Sequence, residues 1–243
     1  MKNQAVLILG DQLFPPSAFK RFQGMKAFMA EDRGLCTHFA YHQKKLVLFL
    51  SAMRHFRDER KNDLKISYSS IESDGSYLDK LSDFARENQI ALLHHFEIED
   101  KFFESQIQDW ASTLKIELKE HLSPGFFVTR DDFKTYLSKS RKPFQNTFYE
   151  RQRKSKKILL TKNGEPAGGV WSHDSKNRKP YKEKELPPDI PWVKADTITE
   201  GVMRLVRKRF SSHPGAVDDF QYPVNRQQAL KWLENFLVER ATK

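Results

Sequence analysis

Short apolar runs alternate with amphipathic stretches along the first half of the chain. The unbroken run at residues 5–9 predicts a strand buried on both faces. Further strands are predicted at residues 25–30, 64–68, 90–96 and 115–121, and helices at residues 42–62, 76–88 and 102–114. Strands that alternate with helices of this length are typical of βαβ units. The sequence therefore predicts an α/β fold with a five-stranded parallel sheet flanked by helices.

The pattern changes after about residue 123. A short helix is predicted at residues 131–138, a basic helical stretch within 144–160, and an irregular Gly- and Pro-rich segment at 164–180. Pro187, Pro188 and Pro191 predict a stiff connector. Two helices follow at residues 198–210 and 225–242, and the last has an apolar stripe that needs a partner. We expect an α/β domain at 1–138, a basic helix and connector at 139–196, and the start of a helical domain at 197–243.

Composition and charge narrow the function classes. The chain has 243 residues, is 38% hydrophobic, and contains 19 Phe that can carry much of the burial. Its net charge of +10 favours polyanions such as nucleic acid without identifying a site. The single cysteine excludes an internal disulfide and a four-cysteine cluster within this chain. A reducing, cytoplasmic location is expected, since neither a signal peptide nor a membrane-length apolar run is present.

Several common site patterns are missing. The sequence contains neither GxGxxG nor GxxxxGK[ST], which argues against a dinucleotide dehydrogenase and a P-loop nucleotidase, and it contains no GxSxG. His38 and His42 are two ligands where zinc needs at least three, so no metal site is predicted. Cys36 is interpreted as a small apolar filler, because no activating arrangement accompanies it.

Polar residues follow the first two predicted strands, where ligands of parallel sheets bind. Gly10, Asp11 and Gln12 come after the first strand, and Glu31 and Asp32 after the second. The alternative is that these are ordinary turn residues in contact with solvent. The pair His94 and His95 at the end of the fourth strand has the same two interpretations, a structural pair or part of a site.

A basic run lies beside two aromatic residues in the second half. Phe148 and Tyr149 precede the positively charged residues Arg151, Arg153, Lys154, Lys156 and Lys157. Basic side chains interleaved with aromatic rings suit a nucleic-acid backbone. A solvated basic helix face is an equally good interpretation, because a charge run has no geometry of its own.

Four stretches taken in order carry a resemblance to a known family. They are LGDQL at residues 9–13, HQKKLVLFLSAMRHF at 42–56, FYERQR at 148–153, and GEPAGGVWSHDSKNRKP at 164–180. The combination resembles the deoxyribodipyrimidine photolyase-related proteins, the bacterial iron–sulfur cryptochromes and photolyases. The resemblance extends over nearly the whole chain, including NRQQAL at 225–230.

The resemblance implies a photolyase-type, Rossmann-like domain that carries an antenna chromophore, 6,7-dimethyl-8-ribityllumazine, at the carboxyl edge of its sheet. The chromophore passes energy to an FAD in a separate helical domain, and the flavin reduces a DNA photoproduct, typically a (6-4) lesion, flipped out of the duplex. The positions that match the antenna pocket are Gly10, Asp11, Gln12, Leu13, Glu31 and Leu46. Asp and Gln side chains would hydrogen-bond the ribityl hydroxyls, Glu31 would accept from the ligand, and Leu46 would pack on the ring.

The sequence departs from this family in its length. It stops at Lys243, before the FAD-binding domain and the four cysteines of the iron–sulfur cluster. FAD and the cluster are therefore expected only in a longer parent protein, and this chain alone is not expected to repair DNA in light. The expected partners are DNA, through the parent protein, and either the FAD-binding domain or a second copy on the final helix; no membrane is expected.

Two further functions stay open at this point. One is a nucleic-acid-binding module without catalysis, which rests on the net charge and the basic run. The other is a domain that binds a nucleotide or flavin-like small molecule without a role for light. Absorption by a bound chromophore separates the antenna domain from both.

Overall fold

The fold was analysed in a computed structural model of the chain, which describes residues 3–140, 142–172, 174 and 189–241. The predicted NRKP motif at residues 177–180 and the prolines Pro187 and Pro188 lie outside these residues. The described residues form two compact units, one of Met1–Gly125 with Ile190–Lys243 and one of Phe126–Asp189. None of the described helices is long and apolar enough to span a membrane.

The first unit is built on a parallel sheet. In the described residues its strands are β1 (Gln4–Leu7), β2 (Lys26–Ala30), β3 (Lys65–Ser69), β4 (Leu92–Phe96) and β5 (Glu117–His121), in the order β3-β2-β1-β4-β5. The helices between them are α1 (Arg33–His38), α2 (Gln43–Arg60), α3 (Tyr77–Glu87) and α4 (Lys101–Leu114), with a 3₁₀ helix at Pro16–Phe22. All pairings are parallel, so the predicted α/β class with five parallel strands is confirmed.

Alternate residues of β1 point to opposite faces of the sheet, as strand geometry requires. Leu7 belongs to a core with α3 and α4, which includes Leu81 and Trp110. Val6 belongs to a second core that includes Phe22 of the 3₁₀ helix and Phe56 of α2. The central strand is therefore buried on both faces from Ala5 onward, which is why residues 5–9 form an unbroken apolar run.

Helix starts follow their capping residues. Ser76 begins α3 with a reciprocal capping box to Asp79, and His42 caps α2. The structure differs from the sequence prediction in two main ways. The strands β2 to β5 each begin one or two residues later than predicted, and there is an additional helix, α1, which Asp32 caps. A six-residue helix gives too short an apolar pattern to be predicted from periodicity.

The remaining helices divide between the two units. The second unit contains α5 (Arg130–Lys139) and α6 (Gln145–Lys156), whereas α7 (Thr197–Arg209) and α8 (Arg226–Phe236) belong to the first, with a π-helical turn at Leu237–Ala241. These units do not follow the predicted boundaries at 138 and 196. The reason is that α7 packs on α2 in a shared core, where Val202 and Val206 lie among Leu46, Val47 and Leu50.

Candidate functional site

A cleft of about 270 Å³ lies at the carboxyl edge of the sheet, where the turns after β1, β2 and β4 meet. In the strand order β3-β2-β1-β4-β5 the chain leaves β1 toward one side and later returns to the other, so β1 and β4 flank the topological switch point. Open α/β sheets bind ligands at this point, because the crossovers diverge there and leave a crevice. The cleft is the candidate site.

The walls of the cleft are mostly apolar and aromatic. The rings are those of Phe49, Tyr77 and Phe103, and Tyr77 and Phe103 touch edge to face with centroids 5.2 Å apart. Leu35 lies at the rim with 47% of its surface exposed. Flat conjugated ligands suit such walls, since aromatic side chains contact a ring with large area and little loss of rotamer entropy.

Gly10 brings the backbone after β1 against α2. A Cβ at this position would lie 2.9 Å from Sδ of Met53 and would overlap the ring of Phe49. Because only glycine lacks this atom, Gly10 lets Phe49 pack directly over the turn. Phe49 and Met53 both line the cleft, so the glycine determines the shape of this wall.

Three carboxylates supply the polar groups of the cleft. Asp32 caps α1 by accepting from the Gly34 backbone N–H at 2.7 Å, and Asp100 caps α4 by accepting from the Phe103 N–H at 2.9 Å. Asp11 lies on the turn after β1, and burial raises its pKa, with a further increase from the charge of Asp100. The helix caps explain why Asp32 and Asp100 are held at the edge of the sheet.

Tyr77 is 8% exposed, and its hydroxyl has no hydrogen-bond partner among the described residues. Burial raises its pKa, and the charges of Asp32 and Asp11 raise it further. A buried hydroxyl without a partner costs free energy, about 1–3 kcal/mol for such a group. Its oxygen has less than 1 Å² of accessible surface although the cleft is empty, so the hydroxyl is enclosed by the protein.

Of the six residues that the resemblance assigned to the antenna pocket, Gly10 and Asp11 line the cleft. Gln12 is buried and donates from Nε2 to the Glu97 carbonyl at 2.9 Å, which ties the turn after β1 to the turn after β4. Leu13 packs against the core that includes Phe56, and it lines a different groove. These two residues support the turn rather than the wall of the cleft.

Glu31 and Leu46 are also placed differently from the expectation. The Glu31 carboxylate is fully buried and accepts two bonds from Arg54, one from Tyr68 Oη and one from the Ile71 N–H. These four bonds occupy the lone pairs that a ligand would need. Leu46 is buried in the core shared with α7 and does not line the cleft. Both side chains are enclosed by the protein, and the sequence pattern could not distinguish this environment from a ligand pocket.

Sequence reasoning missed Tyr77, Phe49, Phe103 and Asp100. Asp100 had a usable signal, because an acid just before a helix and just after a buried strand is typical of an N-cap at the sheet edge. The aromatic residues had no such signal. Each lies on a helix face whose apolar residues predict only burial, and the crossover geometry decides which of them reaches the crevice.

Of the two neighbouring histidines of β4, the buried His95 has its Nδ1 2.9 Å from the Phe96 carbonyl oxygen, and His94 belongs to a chain of hydrogen-bonded side chains. His94 Nδ1 lies 3.0 Å from Nε2 of His121, His94 Nε2 lies 3.0 Å from Gln4 Oε1, and Arg21 Nη1 lies 3.0 Å from His121 Nδ1. Because Arg21 is always a donor, the chain is ordered with both imidazoles neutral. Burial lowers the pKa of His121 to about 4, and it also lowers the pKa of His94.

The second unit contains the predicted basic helix. Arg153 is 6% exposed and its guanidinium donates to the carbonyls of Ile158, Leu159 and Trp171, so it holds the turn after α6. Lys154 lies 4.7 Å from the Trp171 ring centroid and pairs with Glu150. The remaining members of the predicted set are the partly exposed Arg151 and the exposed Lys156 and Lys157.

A groove of about 390 Å³ adjoins this helix within the second unit, and Tyr149, Arg153 and Trp171 line it. Burial of the Arg153 guanidinium removes it from the set that can contact a phosphate. The exposed lysines and the aromatic rings remain available for such a contact.

The chain is similar to known proteins over most of its length. The family described as "Deoxyribodipyrimidine photo-lyase-related protein" matches residues 6–222. A (6-4) photolyase of Agrobacterium fabrum is 26% identical over 242 residues, which cover 97% of this chain and 48% of that protein. The chain therefore spans about half the length of this curated relative.

Proposed function

Because the chain belongs to the deoxyribodipyrimidine photo-lyase-related family, we propose that its sheet unit is the antenna-chromophore domain of a light-dependent DNA-repair flavoprotein of the (6-4) type. The observation that carries this proposal is the cleft at the switch point of the sheet, with rings on its walls and carboxylates at its edge. The proposed ligand is 6,7-dimethyl-8-ribityllumazine.

The residues of the cleft fit this ligand. The carboxylates of Asp11, Asp32 and Asp100 accept from hydroxyl donors such as those of a ribityl chain. The rings of Phe49 and Phe103 suit a conjugated heterocycle.

When bound, the lumazine absorbs light and passes the energy to the flavin of the parent protein. The residues of this chain orient the ring and keep water from it. Asp32 and Asp100 are fixed by their helix caps, so their oxygens are positioned before a ligand arrives. Such preorganisation reduces the entropy lost on binding. FAD and an iron–sulfur cluster are proposed only for the parent protein.

The test is reconstitution of the purified chain with 6,7-dimethyl-8-ribityllumazine, followed by gel filtration. We expect an absorption band at about 400 nm, where protein does not absorb, to elute with the chain. Leu35→Trp should block binding, because Leu35 lies in the rim and is partly exposed. Leu48→Trp is the matched control on a partly exposed helix position that is not in the lining. Loss of the band from the wild-type chain would contradict the proposal.

A second candidate function rests on the second unit. Lys154 over Trp171, the exposed Lys156 and Lys157, and the aromatic groove favour contact with nucleic acid. The proposed role is a DNA contact of the parent protein, and the alternative is a DNA-binding module without catalysis. Steep salt dependence of DNA binding by a chain that binds no chromophore would favour the alternative. Binding of a flavin-like ligand, with no effect of light on the protein, would favour the third hypothesis, a domain that binds a small molecule without a role for light.

The partner proposed for α8 is the FAD-binding domain, with a second copy of the chain as the alternative. Leu230, Leu233 and Phe236 are each about half exposed and share one helix. Sedimentation velocity distinguishes the two, because a second copy makes the sedimentation coefficient depend on concentration. A cytoplasmic location is part of the same proposal.

A further inference from the structure

The groove of the second unit has two walls. One is α6, which contributes Gln145, Asn146 and Tyr149, and the other is the irregular segment that contains Trp171. All of its lining residues belong to the second unit. Its volume of about 390 Å³ falls within the range of pockets that enclose a small ring compound.

Arg153 fixes the two aromatic walls before any ligand arrives. Its Nη1 donates to the Trp171 carbonyl at 2.9 Å, and its guanidinium carbon lies 5.1 Å from the Trp171 ring centroid and 5.7 Å from that of Tyr149. Both distances allow cation–π attraction, so one buried cation holds a helix residue and a residue of the irregular segment. Tyr149 nevertheless keeps 45% of its surface exposed, so part of an ordered ring is available for stacking.

Two side-chain amides supply the polar groups of the groove. Gln145 and Asn146 lie on the first turn of α6, both are exposed, and neither side chain is hydrogen-bonded within the described part of the chain. An amide side chain both donates and accepts, as the edge of a nucleobase does. The amides therefore complement a base edge better than they complement a carboxylate or a phosphate, which only accepts.

The surroundings of the groove are positively charged. Lys157, at the end of α6, and Lys162, in the segment that follows, are exposed, and neither forms an ion pair with a described residue. Lys156 lies 3.9 Å from Asp132 and is also exposed. Rings and amides inside a groove, with free cations beside it, are complementary to a base attached to a phosphate backbone.

We propose that this groove holds one unpaired base of a single-stranded nucleic acid. Tyr149 is the ring on which the base stacks, and Gln145 and Asn146 contact its edge. The proposal rests on the nucleic-acid contact proposed for the second unit and goes further by naming the form of the nucleic acid. A base in a duplex hides both faces against its neighbours, so only an unstacked base exposes a face to Tyr149.

A matched pair of probes separates bases from phosphates. The probes are oligothymidine of about 12 nucleotides and an abasic oligonucleotide of the same length, so the two carry the same number of phosphates. Fluorescence anisotropy of labelled probes measures both affinities at one salt concentration. We expect oligothymidine to bind the wild-type chain at least about tenfold more tightly than the abasic probe, the effect of stacking one base on an aromatic side chain.

Tyr149→Ala should reduce this preference to about threefold or less and leave the affinity for the abasic probe unchanged. Tyr149→Phe should retain the preference, because phenylalanine keeps the ring. Phe144→Ala is the matched control, since Phe144 begins the same helix, is 65% exposed and does not line the groove. An equal loss of preference in Phe144→Ala and Tyr149→Ala would overturn the assignment of the groove.

Photo-crosslinking locates the base directly. Oligonucleotides that contain 5-bromodeoxyuridine react with aromatic side chains in contact with the base, and mass spectrometry identifies the modified peptide. We expect the crosslink at Tyr149 or Trp171. A crosslink confined to peptides outside the second unit would overturn the proposal.

The outcomes distinguish the base site from the nucleic-acid contact on which it rests. Equal affinity for the two probes, or tighter binding of a duplex of the same length than of the single strand, overturns the base site. In that case, affinity that falls steeply with salt leaves a contact through phosphates standing. Failure of both probes and of the duplex to bind overturns the nucleic-acid contact and the base site together.

Discussion

The Arg54 guanidinium lies in a two-pronged ion pair with Glu31, with Nε at 2.6 Å from Oε1 and Nη2 at 3.0 Å from Oε2. Glu31 comes directly after β2 and Arg54 lies on α2, so the pair joins a strand end to the helix that follows it. Glu31 is fully buried, and hydrogen bonding to this carboxylate raises the pKa of Arg54. The pair is a structural element beside the cleft.

Glu31→Gln should destabilise the protein by about 3 kcal/mol, because removal of one partner leaves the other charge buried without compensation. Urea unfolding measures the change. Asp58→Asn is the control, since the Arg57–Asp58 pair is partly exposed and should contribute less than about 1 kcal/mol. The double variant Glu31→Gln with Arg54→Met should recover part of the loss. Equal effects of the Glu31 and Asp58 substitutions would show that burial of the first pair has no energetic consequence.

Gly10→Ala should weaken lumazine binding by at least about tenfold, because the new Cβ forces Phe49 away from the turn and into the cleft. Gel filtration with absorption detection, or a fluorescence titration, measures the effect. Gly201→Ala is the matched control on α7, where the nearest atom to a new Cβ is Arg204 Nη2 at 3.9 Å. Adding Phe49→Leu to Gly10→Ala should restore binding in part. Unchanged binding by Gly10→Ala would exclude Phe49 as a wall of the ligand site.

Arg153→Ala should destabilise the second unit by about 2 kcal/mol, because it leaves the carbonyls of Ile158, Leu159 and Trp171 without their donor. Limited proteolysis between α6 and Trp171 measures this local loss. Lys157→Gly should leave the unit intact, since Lys157 is exposed and has a positive φ of 55° that glycine adopts easily. For DNA binding, Lys157→Gly should reduce the slope of log K against log salt by about 0.9. A reduced slope together with normal protease resistance in Arg153→Ala would contradict its structural role.

The free energy of unfolding should decrease as the pH falls from 6.5 to about 4, because of the titration of His121. Burial lowers the pKa of His121 from 6.5 to about 4, so between these values the unfolded chain binds more protons than the folded chain. The contribution of His121 to the free energy of unfolding is therefore fully present above pH 6.5 and decreases as the pH falls toward 4. Below pH 4 this group causes no further loss. His121→Gln should flatten this part of the urea-unfolding profile. A variant profile parallel to that of the wild type would assign the effect to other groups.

Cys36 should be inert in the folded protein. It is 3% exposed, and burial raises its pKa to about 12, with further increases from Asp32 and Glu31. Because the thiolate is the reactive form, a thiol reagent should modify Cys36 at the rate of unfolding and immediately in denaturant. A fast reaction in native buffer would show that the helix α1 opens locally.

The sequence by itself determined the class of the fold. The unbroken apolar run at residues 5–9, which overlaps β1, and the 3.6-residue pattern of α2 predict a buried strand and an amphipathic helix, because these periods follow from local backbone geometry. The turn at Gly10 was also readable, since it depends on neighbouring residues alone. Local rules of this kind place Gly10 and Asp11 at the edge of the sheet.

The tertiary structure decided which side chains meet in the cleft. Glu31 and Asp32 are neighbours in sequence, yet only Asp32 lines the cleft. The Glu31 carboxylate instead accepts hydrogen bonds from Arg54, Tyr68 and the Ile71 N–H. Tyr77 and Asp100 come from different crossovers and meet the turn after β1 only because the strand order places β4 beside β1. Such contacts depend on long-range packing, and a local pattern cannot encode which of two adjacent carboxylates is enclosed by the protein and which is left for a ligand.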